Sequence, residues 1–352
     1  MTTNRWLREC GLPLGVSDVA LIQNGDHHRY SGLSTCGSGW VCPVCSAKIR
    51  FRRADEISRA IARAIEAGFG AVFVTRTIPH TAEDELRTTL GGLTEGRAWA
   101  SSQKMVKMAR AEAGFLGCIT AKEITRGNNG WHPHTHDVEV FREPVTPTAY
   151  GKLSTEYFDK LNAFYVRNGH KPMAKGIGVK LDIITRDSDA LGRYLVKLQE
   201  TGVGLGNEMA RGDLKKGRKG SLMPFDIAAY FLRTRDADVL KLWHEYERET
   251  KGKSVIRFSK GLRAELLPDE PEASDADLAA DGDDAGVEVG RLANWLYRRV
   301  VAIGLEAAVL RSLDTGGFGA LTELLTAYHL DTTGLHGPTR EIGSAGVDNS
   351  VG

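Results

Sequence analysis

Three histidines alternate with other residues in Trp131-His132-Pro133-His134-Thr135-His136, and on a β-strand such a run can ligate metal. Strand side chains alternate faces, so the imidazoles project to one side with neighbours about 6 to 7 Å apart. Two adjacent ones can grip one divalent ion. The turn-forming Gly127-Asn128-Asn129-Gly130 just upstream makes the run the second arm of a β-hairpin. If the connection spans residues 126 to 131, Glu123 falls opposite His134 as a third ligand, whereas a one-residue slip turns it away. Two imidazoles and one carboxylate leave coordination positions open, as a catalytic ion requires, and such an ion polarises a phosphate oxygen. A lone histidine beside a turn would more simply be a surface residue; three in five positions with a cross-strand acid favour metal.

A polarised phosphodiester also needs an attacking oxygen. Tyr194 and Lys197 stand i, i+3 in a segment that Asp187 or Ser188 can cap as a helix, which puts them on one face. The phenolate can attack phosphorus to give a covalent 5′-phosphotyrosine, while Lys197 steadies the phenolate or the charge developing on the phosphate. Alone, the same pattern more commonly marks a buried tyrosine. The stretch His134-Thr135-His136-Asp137 is also similar to metallo-β-lactamase-like sites, but it lacks the following histidine and has its aspartate one place too early.

Of the five cysteines, Cys36, Cys42 and Cys45 fall within ten residues. Cys42-Pro43-Val44-Cys45 is a C-x-x-C knuckle, and with Cys36 it makes a three-thiolate set suited to Zn2+. No thioredoxin-like βαβ pattern surrounds it, so a redox role is disfavoured. The fourth ligand is left open locally, with His27 or His28 among the choices. Cys118 lies within an expected strand and reads as a core residue.

These residues must be positioned by a chain whose composition is that of an ordinary soluble protein, 41% hydrophobic and 26% charged. Its 352 residues exceed one usual core. No apolar run approaches the roughly 18 residues of a membrane span, and the N-terminus has no signal-peptide core, so a cytoplasmic protein with no membrane partner is expected. The formal net charge is +1, yet residues 269–288 hold nine carboxylates and no base, leaving about +10 on the remainder. A basic body suits a phosphate-bearing partner. Residues 51–66 form a basic amphipathic helix whose arginines face phosphates or water, and the loop Lys215, Lys216, Arg218 and Lys219 can contact a phosphate backbone. Gly202 to Gly206 lacks a nucleotide-loop pattern and reads as a connector.

Strands are expected at 71–78, 117–125, 131–141 and 179–185. Helices are expected at 81–112, interrupted near Gly91-Gly92 and Gly96, and at 147–168, 187–198, 227–232 and 238–249. Trp243 and Tyr246 have the helical spacing of packing residues. A hairpin joined to helix-separated strands implies an α+β fold, a central antiparallel sheet flanked by helices.

The chain resembles the replication initiator (Rep) proteins of actinobacterial rolling-circle plasmids, members of the HUH endonuclease superfamily. The resemblance runs through residues 31–45 with the cysteine cluster, Phe73-Val74-Thr75-Arg76-Thr77, Lys122-Glu123-Ile124-Thr125, and Gly130 to His136. It continues through Tyr194 to Lys197, Met223-Pro224-Phe225, residues 243–252 and residues 259–263, and spans roughly 10 to 265.

It implies an HUH fold in which His134 and His136 are the metal pair, with Mg2+ or Mn2+, and Glu123 the third ligand; His132 is a further possible ligand. Tyr194 would nick the plasmid's double-strand origin, presented as single strand or extruded hairpin. The 3′-hydroxyl would prime synthesis by a host helicase and polymerase. It also implies Cys10, in a Cys-Gly pair typical of these proteins, as the fourth ligand of a structural Zn2+. Two departures from the family pattern are Thr135, where a bulky apolar residue is usual and which suits a partly buried face, and Ala190, where some relatives have a terminating carboxylate.

The organisation expected is a zinc-binding module at 1–50, the nickase domain at 51–205 and a basic, helical extension at 206–267. An acidic linker at 268–288 and a helical appendage with a disordered tail at 289–352 follow. The alternatives are an HUH relaxase or transposase, sharing the chemistry, and a non-catalytic zinc-containing DNA-binding regulator.

Overall fold

The computed structural model describes residues 2, 4–184, 222–280 and 286–337. In chain order these form α1 (Arg5–Glu9), β1 (Asp18–Asn24), β2 (His27–Ser31), α2 (Pro43–Glu66), β3 (Gly70–Thr77), α3 (Leu86–Ser102) and α4 (Lys104–Glu112). There follow β4 (Phe115–Gly127), β5 (Gly130–Phe141), α5 (Pro147–Arg167), β6 (Val179–Ile184), α6 (Pro224–Thr234), α7 (Ala237–Thr250) and β7 (Ile256–Phe258). The last are α8 (Leu262–Leu266), α9 (Asp275–Ala279), β8 (Val287–Ala293), α10 (Asn294–Ala302), α11 (Glu306–Ala327) and β9 (Leu335–His336). The chain divides into two compact units, residues 1–4 with 37–279 and residues 5–36 with 280–352.

The larger unit is α+β around a five-stranded sheet, ordered β6-β3-β5-β4-β7, whose neighbours are all antiparallel. The β4–β5 hairpin closes with Gly127 paired to Gly130. Gly130 has φ +86°, and a Cβ there would meet the Thr81 carbonyl oxygen at 2.7 Å, so both conformation and space demand glycine. On the sheet face of Val72, Val74 and Phe141, helices α3, α4 and α5 bury Leu93, Val106, Leu153, Leu161 and Tyr165. None of the buried residues of α2 joins that cluster, though α2 also packs on β3.

Helix α2 starts with Pro43 at its first turn, where a missing N–H is harmless, and buries Ile49, Ile57 and Ile61 at 0% exposure each. Helix α3 runs unbroken through the glycines that read as interruptions. Their smallness serves packing instead: a Cβ on Gly92 would lie 2.7 Å from Ile78, and one on Gly96 would lie 2.9 Å from Phe164. The break falls after Ser102, at Gln103.

Two parts of the expected extension and linker belong to this unit. Strand β7 adds an edge to the sheet beside β4, so the described part of 206–267 is integral rather than appended. The acidic segment is also structured over α9, with Asp275 against Arg53 of α2 and Glu270 against Arg59. Composition marks this stretch as a linker, but arginines at helical spacing give its carboxylates partners.

The smaller unit corrects both ends of the expected organisation. Residues 5–36 share a unit with the C-terminal segment, β1 pairing antiparallel with β8 in a four-stranded sheet ordered β2-β1-β8-β9. The C-terminal segment opens with that strand and only then becomes helical. Val19, Leu21, Leu292, Leu296, Val309, Leu321 and Leu325 make the core, and Tyr30 stands edge-to-face on Tyr297 with centroids 5.0 Å apart. A pairing across more than 260 residues leaves no local trace in sequence. The tail beyond 337 lies outside the described residues. Among the described residues, no helix is long and apolar enough to cross a membrane.

Candidate metal centre

The hairpin register decides the site. Glu123 on β4 faces His134 directly, Ala121 faces His136, and on the other side of β5 Thr75 faces His136. Glu123, His134 and His136 therefore share one face. Their side chains are 27%, 14% and 9% exposed. The Glu123 Oε2 lies 2.8 Å from His134 Nε2 and 3.1 Å from His136 Nε2. The three ligand atoms all fall within 4.8 Å of one another, as one small ion would need.

The opposite ring nitrogens are engaged elsewhere. His134 Nδ1 faces the His132 carbonyl at 3.4 Å, and His136 Nδ1 faces the Thr75 hydroxyl at 3.2 Å. Such outer contacts fix ring orientation and turn Nε2 inward. Phe73 stacks on the His136 ring, centroids 5.4 Å apart and planes 7° apart. Thr75 and Phe73 were within the Phe73 to Thr77 motif, but nothing in sequence assigned them to the histidines; the strand pairing does. Burial opposes ionisation of Glu123, yet hydrogen bonds from His134 and His136 outweigh it and hold the carboxyl well below its usual range. The donor set thus fits a divalent cation.

His132 stands apart from the trio. Its ring lies 5.3 Å from that of His134 and 4.9 Å from that of His80, and it is not among the three converging ligands. Burial, then the neighbouring His134 and His80, lowers its pKa to about 4. Beside the site, Arg50 of α2 lies over the Trp40 ring at 5.4 Å, and the charge of Glu123 acts on it.

The residue between the paired histidines points the other way, into a buried polar cluster. Thr135 is 1% exposed rather than half-buried, and its hydroxyl donates to Asp137 at 3.5 Å. Asp137 is bound by Arg76 and Arg97. Glu139 accepts from Arg76 at 2.9 Å and from Arg110 at 2.8 Å, and is also bonded by the Tyr157 hydroxyl. A threonine suits this surrounding where an apolar core would take a bulky side chain. Asp137, turned to that face, takes no part in the metal group, which removes the metallo-β-lactamase-like arrangement.

Among the described residues, none of the five cysteines is in a disulfide. In the larger unit Cys42 caps α2, its Sγ accepting from the Cys45 N–H at 3.5 Å, and both are buried. In the smaller unit, hydrogen bonds from Gly11 N–H to Ser34 O and from Ser34 N–H to Leu12 O lay the segments of Cys10 and Cys36 side by side. The thiols of each pair come within 4.8 Å, close enough to serve one ion. His28 is bonded to Asp314 at 2.8 Å instead. Cys118 is half-buried beside Arg97 rather than in the apolar core.

Trp243 and Tyr246 are buried packing residues, as their spacing implies. Beside them Glu245 has a role that sequence did not reveal. One carboxylate oxygen accepts from Trp131 Nε1 at 2.8 Å, the other from the Leu86 N–H at 2.6 Å, capping α3 from a distance. Tyr194, Lys197 and Ala190, and the basic loop of Lys215, Lys216, Arg218 and Lys219, lie outside the described residues.

The family model described as "Replication protein" matches residues 29–159, which include the whole hairpin. "Protein rep" of Streptomyces lividans is 30% identical over 345 residues, covering 80% of this chain and 74% of that protein. The chain belongs to the replication protein family. A second relative of this replication protein, "Neomycin resistance protein" of Streptomyces cyanogenus, is 33% identical over 132 residues, 30% of each chain. No solved structure matches. The matched region thus holds the histidine hairpin together with the whole of α2 and β3.

Proposed function

We propose that this replication protein initiates plasmid replication by nicking single-stranded origin DNA, as an HUH endonuclease with Tyr194 as nucleophile. The observation that carries the reading is the convergence of Glu123, His134 and His136 on one point of an antiparallel strand pair, within the stretch matched by the replication family. Glu123, His134 and His136 would hold a Mg2+ or Mn2+ ion, which would supply Lewis acidity toward a phosphate oxygen. The phenolate oxygen of Tyr194 attacks phosphorus and forms a 5′-phosphotyrosine as the bond to O3′ breaks. The departing O3′ takes up a proton from water to become a free 3′-hydroxyl, which primes synthesis by a host polymerase while a host helicase unwinds the duplex. Lys197, one turn on, steadies the phenolate.

Wild-type protein incubated with Mn2+ and single-stranded origin DNA is expected to form a covalent adduct that survives denaturing electrophoresis, and Tyr194→Phe none. An adduct in the variant would reassign the nucleophile. Its absence from wild type would favour a non-catalytic DNA-binding regulator.

The zinc reading is likewise a proposal: one structural ion on Cys10, Cys36, Cys42 and Cys45. Its support is that no disulfide joins these cysteines, that each unit offers a closely spaced pair, and that Zn2+ prefers such sulfur sets. Elemental analysis should find about one zinc per chain, lost in Cys42→Ser; zinc-free wild-type protein would end this reading.

A further inference from the structure

Helix α2 carries Arg52, Arg59 and Arg63 at i, i+7 and i+11, a single stripe along the helix. The acidic segment of the same unit lies along it. Glu270 makes a fork on Arg59, with Oε1 3.2 Å from Nε and Oε2 3.0 Å from Nη2, and its Oε1 lies 3.6 Å from Arg63 Nη2. Further along, Arg52 Nη1 donates to the Leu278 carbonyl at 3.0 Å.

Beneath this layer the segment is anchored by a second, more buried one. Arg53 bonds Asp275 at 2.9 Å and Glu56 at 2.7 Å, and Arg263 bonds Glu56 at 2.6 Å and the Glu270 and Pro271 carbonyls at 2.8 Å each. The two layers differ in the exposure of their arginines, whereas the acids of the segment, Asp275 and Glu270, are alike at 27% and 23%. Arg53, Glu56 and Arg263 are 11%, 8% and 12% exposed, whereas Arg59 and Arg63 are 43% and 41% exposed. Buried pairs hold the segment in place, and exposed ones exchange with solvent anions at little cost.

We propose that Arg59 and Arg63 form a binding surface for the phosphate backbone of duplex DNA, and that Glu270 occupies the phosphate position until DNA displaces it. The two-toothed contact of Glu270 on Arg59 is the geometry that guanidinium offers equally to carboxylate and phosphate. Arg59 is also paired with Asp55 of its own helix, so two carboxylates neutralise the arginine pair; both are weaker partners than a duplex, whose binding is driven by release of condensed counterions. The segment therefore weakens sequence-independent binding through this surface without abolishing it. The surface needs neither Tyr194 nor the metal centre, so it stands or falls separately from nicking.

The test uses the full chain and a fluorescent duplex of random sequence, free of origin sequence, with anisotropy recorded over a range of NaCl. Glu270→Gln is expected to tighten binding about fivefold, the scale of an exposed ion pair. Glu95→Gln, which removes an exposed acid on α3 remote in sequence from the segment, should leave affinity unchanged. Arg59→Gln with Arg63→Gln should weaken binding and reduce the salt slope by about 2, one counterion per phosphate contact. In that background Glu270→Gln should add nothing. The proposal is overturned if Glu270→Gln fails to tighten binding, if Glu95→Gln tightens it equally, or if the arginine pair can be removed with affinity and slope intact. Circular dichroism of each variant checks the fold, and Arg59→Lys with Arg63→Lys, keeping charge but losing the fork, should fall between.

Discussion

His136→Ala is expected to reduce Mn2+-dependent cleavage of single-stranded origin DNA by at least about a hundredfold, since an ion polarising a phosphate contributes several kcal/mol to the barrier. Origin binding should stay largely intact, because the substitution removes a metal ligand and none of the cationic side chains that attract phosphate. His136 is the best held of the trio, with Thr75 at Nδ1, Phe73 against its ring and Glu123 at Nε2. Its loss leaves one imidazole and one carboxylate, and His134→Ala should behave alike. Thr75→Val separates ligation from orientation. It keeps every ligand but frees the ring, so Mn2+ affinity should fall about 10- to 100-fold with cleavage restored at high Mn2+. A gel assay titrated with Mn2+ reads both effects. Full cleavage by His136→Ala, or by wild type in excess chelator, would show that this trio is not the metal centre.

How much of the centre could be read beforehand depended on how local its causes are. Turn residues bear on hairpin register, so Gly127 to Gly130 offered Glu123 opposite His134 as one register of the hairpin, and the strand pairing is what selects it. The partners from β3 could not be read, because Thr75 meets His136 only once two strands separated by more than fifty residues are paired. Arg76, Asp137 and Glu139 show the same limit more sharply. In sequence they are charges in otherwise apolar strands; in the fold they are at most 5% exposed and satisfied by one another and by Arg97, Arg110, Tyr157, Thr120 and Thr135. The β1–β8 pairing and the acidic cover on α2 were hidden for the same reason, that each joins segments distant in the chain. Glycine carried the opposite error: Gly92 and Gly96 signal a break by propensity, whereas close helix contacts require them inside α3.

The buried cluster behind the histidine strand also sets the largest expected loss of stability. Asp137→Asn should cost about 3 to 5 kcal/mol, measured by chemical denaturation at neutral pH, because it leaves Arg76 and Arg97 short of a counter-charge where water cannot replace it. Asp137 is wholly buried and by desolvation alone would resist ionising. The charges of Arg97 and Arg76, with hydrogen bonds from Arg97 and Thr120, outweigh this and hold its pKa at about 2, against 3.8 for a free side chain. A depressed carboxyl pKa contributes stability that is complete above the unfolded value and is lost as pH falls through the folded one. The wild-type protein should accordingly lose about 2 kcal/mol from this group between roughly pH 4 and pH 2. Asp137→Asn, already lacking the charge, should show a shallower acid limb over that window. Since Asp137 follows His136 directly and points to the opposite face, the variant should also loosen the strand that presents the imidazoles. A neutral-pH loss below about 1 kcal/mol would mean that the arginines find other partners and that the cluster does not hold the strand.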